Sequence, residues 1–300
     1  MTEHQTYPKN EKGQSRITGR QLKERSRVDW IVGFTVIGLV VVYLSLPSED
    51  SSGPKEIGTG NDLNSNPAYI EQALGLELEM VKVEGGAFKM GCTKERDGYC
   101  RDNEKPTHEV SLNDFYMGRY EVTQAQWQAV MGDNPSQFAD CDECPVENVF
   151  WEDVQAFVAK LNRQTGKQYR LPTEAEWEFA ARGGQKTKGY KYAGGNYLDA
   201  VAWYDNNSME RTHEIGQKKA NELGIHDMNG NVWEWCHDWY DPEYYEQSPV
   251  NNPKGPTTGA YHVMRGGSWR NASNYTSIAS RFDKEPELGM IYGFRLAMDD

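Results

Sequence analysis

Aliphatic side chains are in short supply in this 300-residue chain. Hydrophobic residues make up 37%, and 9 Trp, 17 Tyr and 9 Phe take a large share of them. That scarcity excludes a helical bundle held by aliphatic seams. A core must come instead from flat rings tied by hydrogen bonds, and 29 Gly point to an irregular, loop-rich domain. No internal repeat is visible. Basic charge is scarce too: 32 Lys and Arg face 45 Asp and Glu, for a net charge of -13. Seven of the basic residues (Lys9, Lys12, Arg16, Arg20, Lys23, Arg25, Arg27) lie within residues 1–29, against four acidic ones. That arm carries +3, so the rest of the chain carries -16. Nucleic-acid binders draw phosphate with Lys and Arg, so no nucleic-acid partner is expected.

Long apolar runs are missing with one exception. Residues Trp30–Leu46 are uncharged and mostly apolar, at the short end of the roughly 17–25 residues that span a bilayer. Trp30 and Tyr43 sit near its ends, where amphipathic rings favour the interface, and Pro47 stops the helix. The basic arm before it belongs in the cytoplasm by the positive-inside rule. The arm is long for a signal-peptide n-region and no small-x-small cleavage site follows, so an uncleaved signal anchor is expected. The expected organisation is a cytoplasmic arm (1–29), a single transmembrane helix (30–46), a linker (47–76) and one periplasmic or extracellular domain (77–300).

Inside that domain three helices have mechanistic signatures. Thr123 and Gln126 form a capping box, with Gly132 as the stop; Thr173 and Glu176 form another, closed by Gly183 and Gly184. Between them, Val154, Phe157, Val158 and Leu161 share one face of a helix over about 152–162. Short strands are expected at 78–90, 108–117 and 261–266. Beyond residue 184 there is little periodicity.

Cysteine is limited to five residues. In an oxidising compartment Cys92 with Cys100 and Cys141 with Cys144 are natural local disulfides, with a zinc site built from both pairs as the alternative. Cys236, between Trp235 and His237, reads as a buried small hydrophobe. Histidine pairs at H-x-H or H-x3-H spacing are absent, and so are a P-loop and a Ser/His/Asp order. An iron or zinc centre from His226 and His237 with Asp227 or Asp238 is the weaker reading beside structural histidines.

Seven ordered strings give the domain a family likeness. Gly85–Gly91 (GGAFKMG) is followed by Glu104-Lys105-Pro106 leading into Phe115–Thr123 (FYMGRYEVT). Then come Pro145–Val149 (PVENV), Arg170–Glu178 (RLPTEAEWE) and Gly224–Trp235 (GIHDMNGNVWEW). Arg265–Trp269 (RGGSW) and Gly293–Leu296 (GFRL) close the series. Their order and spacing resemble the formylglycine-generating enzyme (sulfatase-modifying factor) family over about 78–298. The resemblance implies an α+β domain, a variant of the C-type-lectin-like fold, low in regular secondary structure.

The same resemblance implies a copper(I) site built from two cysteines after the Gly-Gly-Ser string. Here Asn271 and Thr276 stand at those positions. Soft Cu(I) needs thiolates, so copper is not expected as a cofactor, and formylglycine formation by the copper route is not expected either. Trp233, Ser268, Trp269, Asn271, Thr276 and Arg281 match positions around the family's cleft. The two tryptophans read first as core, and Asn271 and Thr276 as surface-facing. The string from Asp227 resembles a calcium loop with ligands at Asp227, Gly230, Val232 and Glu234; carboxylate and carbonyl oxygens suit Ca2+. The plainer reading is a Gly turn with capping carboxylates.

These features point to a membrane-anchored, non-catalytic domain that binds a peptide, glycan or protein partner outside the cytoplasm, or serves in an envelope assembly. The alternative is a metal-dependent oxidoreductase of the same superfamily acting on an exported peptide or metabolite.

Overall fold

The computed structural model describes residues 68–73, 76–94, 100–283 and 291–300. The arm, the apolar segment 30–46 and the expected tether 47–67 lie outside these residues. Among the described residues no helix is long and apolar enough to cross a membrane.

The architecture is mixed α+β with short elements. One antiparallel sheet has the order β1 (Ala68–Ala73), β2 (Leu76–Val83), β5 (Phe115–Gly118) and β10 (Ala297–Asp299). The first and last strands of the domain therefore share a sheet, with Ala297 opposite Met117 and Val81 opposite Met117 on its other edge. β1 pairs with β2 from Ala68↔Val81 to Ala73↔Leu76. The fold thus begins before the expected boundary at 77. In sequence that segment has only Tyr69 and Ile70 as large apolar residues, too few to show an alternation. β3 (Gly86–Met90) and β4 (His108–Leu112) form a hairpin of their own. The third sheet has the order β8 (Arg281–Phe282), β7 (His262–Arg265), β6 (Trp233–Trp239) and β9 (Tyr292–Gly293).

The helices form where their caps predict. Before α1 (Gln124–Met131), Thr123 Oγ1 accepts from Gln126 N at 3.2 Å and Gln126 Oε1 accepts from Thr123 N at 3.0 Å. Gly132 ends it in the left-handed region, with φ 97°. α2 (Trp151–Thr165) buries Val154, Phe157, Val158 and Leu161, the face expected from the sequence. α3 (Glu174–Ala181) repeats the capping box with Thr173 and Glu176. A single turn, α4 (Leu198–Val201), follows.

The core is mixed rather than ring-built: Val, Leu, Ile and Met side chains outnumber the buried Phe, Tyr and Trp, because the strands and α2 bring the few aliphatic residues inside, and the rings pack among them. Trp127 stacks on Phe157 at 5.2 Å, and Phe294 meets Phe157 edge-on at 5.3 Å. Charges are buried with them. Arg281 donates to both oxygens of Glu174 at 2.7 Å, and Arg265 pairs with Glu178 while donating to the carbonyls of Ile278 and Ser280. These pairs tie α3 to β7 and β8. Bidentate guanidinium–carboxylate geometry is what makes such burial tolerable.

Candidate functional site

The loop after β7 carries the positions where the family resemblance places its copper ligands. The chain turns through Gly266 and Gly267, both with positive φ (96° and 80°). A Cβ on Gly267 would lie 2.8 Å from Thr276 Cγ2, so glycine lets the two arms of the loop close. Ser268 then donates from Oγ (2.6 Å) and from its backbone N (3.1 Å) to Asn271 Oδ1. The Asn271 carbonyl accepts from Asp205 N at 3.2 Å. Asn271 is half-buried. Thr276 is fully buried: its hydroxyl donates to Ser273 O at 3.0 Å, and its carbonyl accepts from the Asn229 amide. The expectation that Thr276 faces the surface is therefore corrected. The tight Gly267 turn draws it inward.

The other cleft candidates also sit inside. Trp233 is buried and stacked on Phe282 at 5.3 Å, and Trp269 is buried with its ring edge-on to Phe138 at 5.5 Å. Ser268 is fully buried, and Arg281 is held by Glu174 between the rings of Tyr240 and Tyr245. Asn271 alone among the six keeps partial exposure.

The loop from Asp227 is shaped by its own constraints. Gly230 has φ 81°, and a Cβ there would meet Trp203 O at 2.0 Å, so no other residue fits. Asp227 is buried with φ 56°. Its Oδ2 accepts from Gly216 N at 2.7 Å, while Oδ1 is buried with no hydrogen-bond partner. Burial pushes its pKa up to about 6. Glu234 is fully buried and accepts from Arg295 at 2.6 Å on each oxygen and from Trp177 Nε1 at 2.7 Å. Three of its roughly four lone-pair positions are thereby used, and one on Oε1 remains. Glu121 completes the group. It accepts from Asn231 Nδ2 (2.7 Å) and Val232 N (3.2 Å), and burial together with the Asp227 and Glu234 charges pushes its pKa well up.

Of the three carboxylates Arg295 bonds Glu234 alone, and it acts on Glu121 and Asp227 only through its charge. The bare Asp227 Oδ1 and the remaining Glu234 lone pair are hard oxygen donors of the kind calcium takes. No group of three or more His, Cys, Asp or Glu among the described residues has the geometry to hold a metal by side chains alone.

The four cysteines form two disulfides, Cys92–Cys100 and Cys141–Cys144, which leaves Cys236 buried and free. The zinc alternative has no ligands left. Burial pushes the Cys236 thiol well up, away from reactivity.

Sequence reasoning missed two groups. Glu121 lay within a recognised string but carried no signal of its own until the fold brought it under Val232. Glu147 is fully buried; its Oε1 accepts from Phe138 N at 2.8 Å, Oε2 has no partner, and burial raises its pKa to about 7.

A sparse α+β scaffold, two local disulfides and a Gly-Gly-Ser turn facing a Gly-Asn loop define the class as a sulfatase-modifying-factor type of domain. The chain belongs to the family of the sulfatase-modifying factor enzyme 1-like domain, whose pattern matches residues 68–300. It is 36% identical to the chaperone protein LppX of Paenibacillus barcinonensis over 270 residues, covering 73% of this chain and 88% of that protein. It is 32% identical to the formylglycine-generating enzyme of Streptomyces coelicolor over 287 residues, covering 73% and 88%. Among solved structures, Treponema denticola variable protein 1 aligns with a TM-score of 0.70 and 32% identity, covering 78% of this chain and 99% of that one.

Proposed function

We propose that this protein is a membrane-anchored member of the family that binds a partner outside the cytoplasm and does not make formylglycine. The observation that carries the reading is the state of Asn271 and Thr276. Neither offers sulfur, and both are fastened within their own loop by Ser268 and Ser273. The partner-binding surface is the rim around Asn271, where Asp205 and Ser208 lock a neighbouring loop onto residues 269–271. That loop presents Met209 at 84% exposure with φ 53°. A large apolar side chain held outward on left-handed backbone suits contact with a peptide or protein.

The address rests on the uncharged segment Trp30–Leu46 behind a basic arm, with the N-terminus cytoplasmic. Two disulfides support an oxidising compartment, periplasmic or extracellular. Calcium at Asp227, Gly230, Val232 and Glu234 is part of the proposal, as a structural ion, and the lineage of the fold is C-type-lectin-like.

The test is incubation of the purified chain with Cu(I), O2 and a Cys-x-Pro-x-Arg peptide, read by mass spectrometry. The peptide thiol is expected to stay intact; conversion to an aldehyde would overturn the reading.

A further inference from the structure

β7 leads at its C-terminal end into the Asn271 loop, and His262 marks its other end. There the His262 ring lies between two indoles. It stacks on Trp151 at 3.8 Å and 5°, and on Trp239 at 3.8 Å and 27°. Trp151 is anchored by its Nε1, which donates to Cys236 O at 3.1 Å. Both tryptophans remain partly exposed. A cavity of about 310 Å³ is lined by these three rings with His237, Lys254 and Thr257. It adjoins a second cavity of about 640 Å³, which shares His237 and Lys254 and reaches Arg170, Asn252 and Asp299. Both lie within the roughly 300–1,000 Å³ of small-ligand sites.

The chemistry of the walls narrows the ligand. His262 Nδ1 faces the carbonyls of His237 (3.1 Å) and Asp238 (3.2 Å), so it carries the ring proton and Nε2 is left as an acceptor. That Nε2 is buried with no partner. In the larger cavity, Glu176 and Asp299 grip Arg170, and Asn252 Oδ1 accepts from Asn113 N at 2.9 Å. Asp114 and Asp300 line it as well. Asp114 and Asp300 are paired with Lys82, so four carboxylates face Arg170, Lys254 and Lys82, an acidic excess of one that disfavours phosphate, sulfate or an acidic sugar. Acceptors held in fixed positions favour a ligand rich in hydroxyl donors. A proline-rich peptide would also lie on tryptophans, but it brings no backbone donor for the unpartnered His262 Nε2.

We propose that this trough binds a neutral oligosaccharide, one sugar ring lying with its C–H face on an outer indole face of the Trp151–His262–Trp239 sandwich and the next reaching toward Asn252. Indole faces carry the negative potential that C–H groups meet well, and the equatorial hydroxyls find the amide and carboxylates. The site is independent of the reading given to Asn271.

The full chain is titrated with chitotetraose, cellotetraose, maltotetraose and decaproline, followed by tryptophan fluorescence and calorimetry. At least one tetrasaccharide is expected to bind saturably with Kd near or below ~1 mM. Trp239→Ala is expected to weaken it about tenfold or more. Thr257→Trp places a bulky ring at the exposed mouth and is expected to block binding with an unchanged melting curve, so it decides the matter if Trp239→Ala does not fold. The proposal fails if no tetrasaccharide binds below ~10 mM, if Thr257→Trp leaves binding intact, or if decaproline is the ligand that binds.

Discussion

Arg295 and Glu234 meet as a bidentate pair, each guanidinium donor 2.6 Å from a carboxylate oxygen, and neither side chain is exposed. Arg295 also donates to the carbonyls of Gly118 and His226, so one side chain joins β5, β6 and the loop before Asp227. Removing it leaves three carboxylates facing one another. Arg295→Met is expected to cost about 3–5 kcal/mol, the range for breaking one side of a buried pair. Arg295→Met with Glu234→Gln should recover part of that loss. Urea denaturation of the single and double variants checks this, and equal midpoints would contradict it.

Glu147 makes stability pH-dependent. Its folded pKa of about 7 lies above the ordinary 4.5 because burial disfavours the carboxylate. A raised acid pKa means that the folded state holds its proton longer. The associated stability is therefore full below about pH 4.5 and lost as pH rises through 7. Glu147→Gln has no such proton to lose. Relative to wild type it should gain roughly 2–3 kcal/mol between pH 4.5 and 8. Denaturant midpoints measured at both pH values test the slope; a constant difference would remove Glu147 as its source.

Thiols at the two loop positions should restore a soft-metal site. Asn271→Cys with Thr276→Cys is expected to take up one equivalent of Cu(I), where the natural chain takes up none at those positions. Competition against a Cu(I) chelator reads the stoichiometry. Failure of the double variant to compete would mean that the loop no longer brings the two positions together.

Calcium should stabilise the fold through Asp227. At about 100-fold excess over Kd, a single site contributes roughly 2.7 kcal/mol, which for a domain of this size raises Tm by on the order of 5 °C. Thermal melts after chelation, with Ca2+ or Mg2+ added back, measure it. Asp227→Asn should abolish most of the calcium shift, and a shift equally large with Mg2+ would argue against the site.

The local signals in the sequence were strong where a helix end or a glycine decides the geometry. Thr123 with Gln126, Thr173 with Glu176, and Gly132 declare their elements because each cap is a contact within three or four residues. β1 and β6 did not. β1 has too few large apolar residues to alternate, and β6 reads Trp-Glu-Trp-Cys-His-Asp-Trp, a strand buried on both faces for its first four residues and so without a period of two. The ordered motifs named the loop at Asn271 but not its burial, because Thr276 is turned inward by Gly267, which the motif contains but whose packing partner it does not. Glu121, Glu147 and the Trp151–His262–Trp239 stack were invisible for the same reason: each is assembled by residues far apart in the chain, and His262 is an unremarkable residue until two indoles close on it.

β7 also acts as a ruler. His262 at one end belongs to the ring stack and Arg265 at the other leads into the Asn271 loop, so three residue steps of extended chain, about 10 Å, lie between the stack and the start of that loop. The strand is bonded on both sides, to β6 and β8, which fixes that spacing. A ligand that engages both surfaces must therefore bridge a set interval.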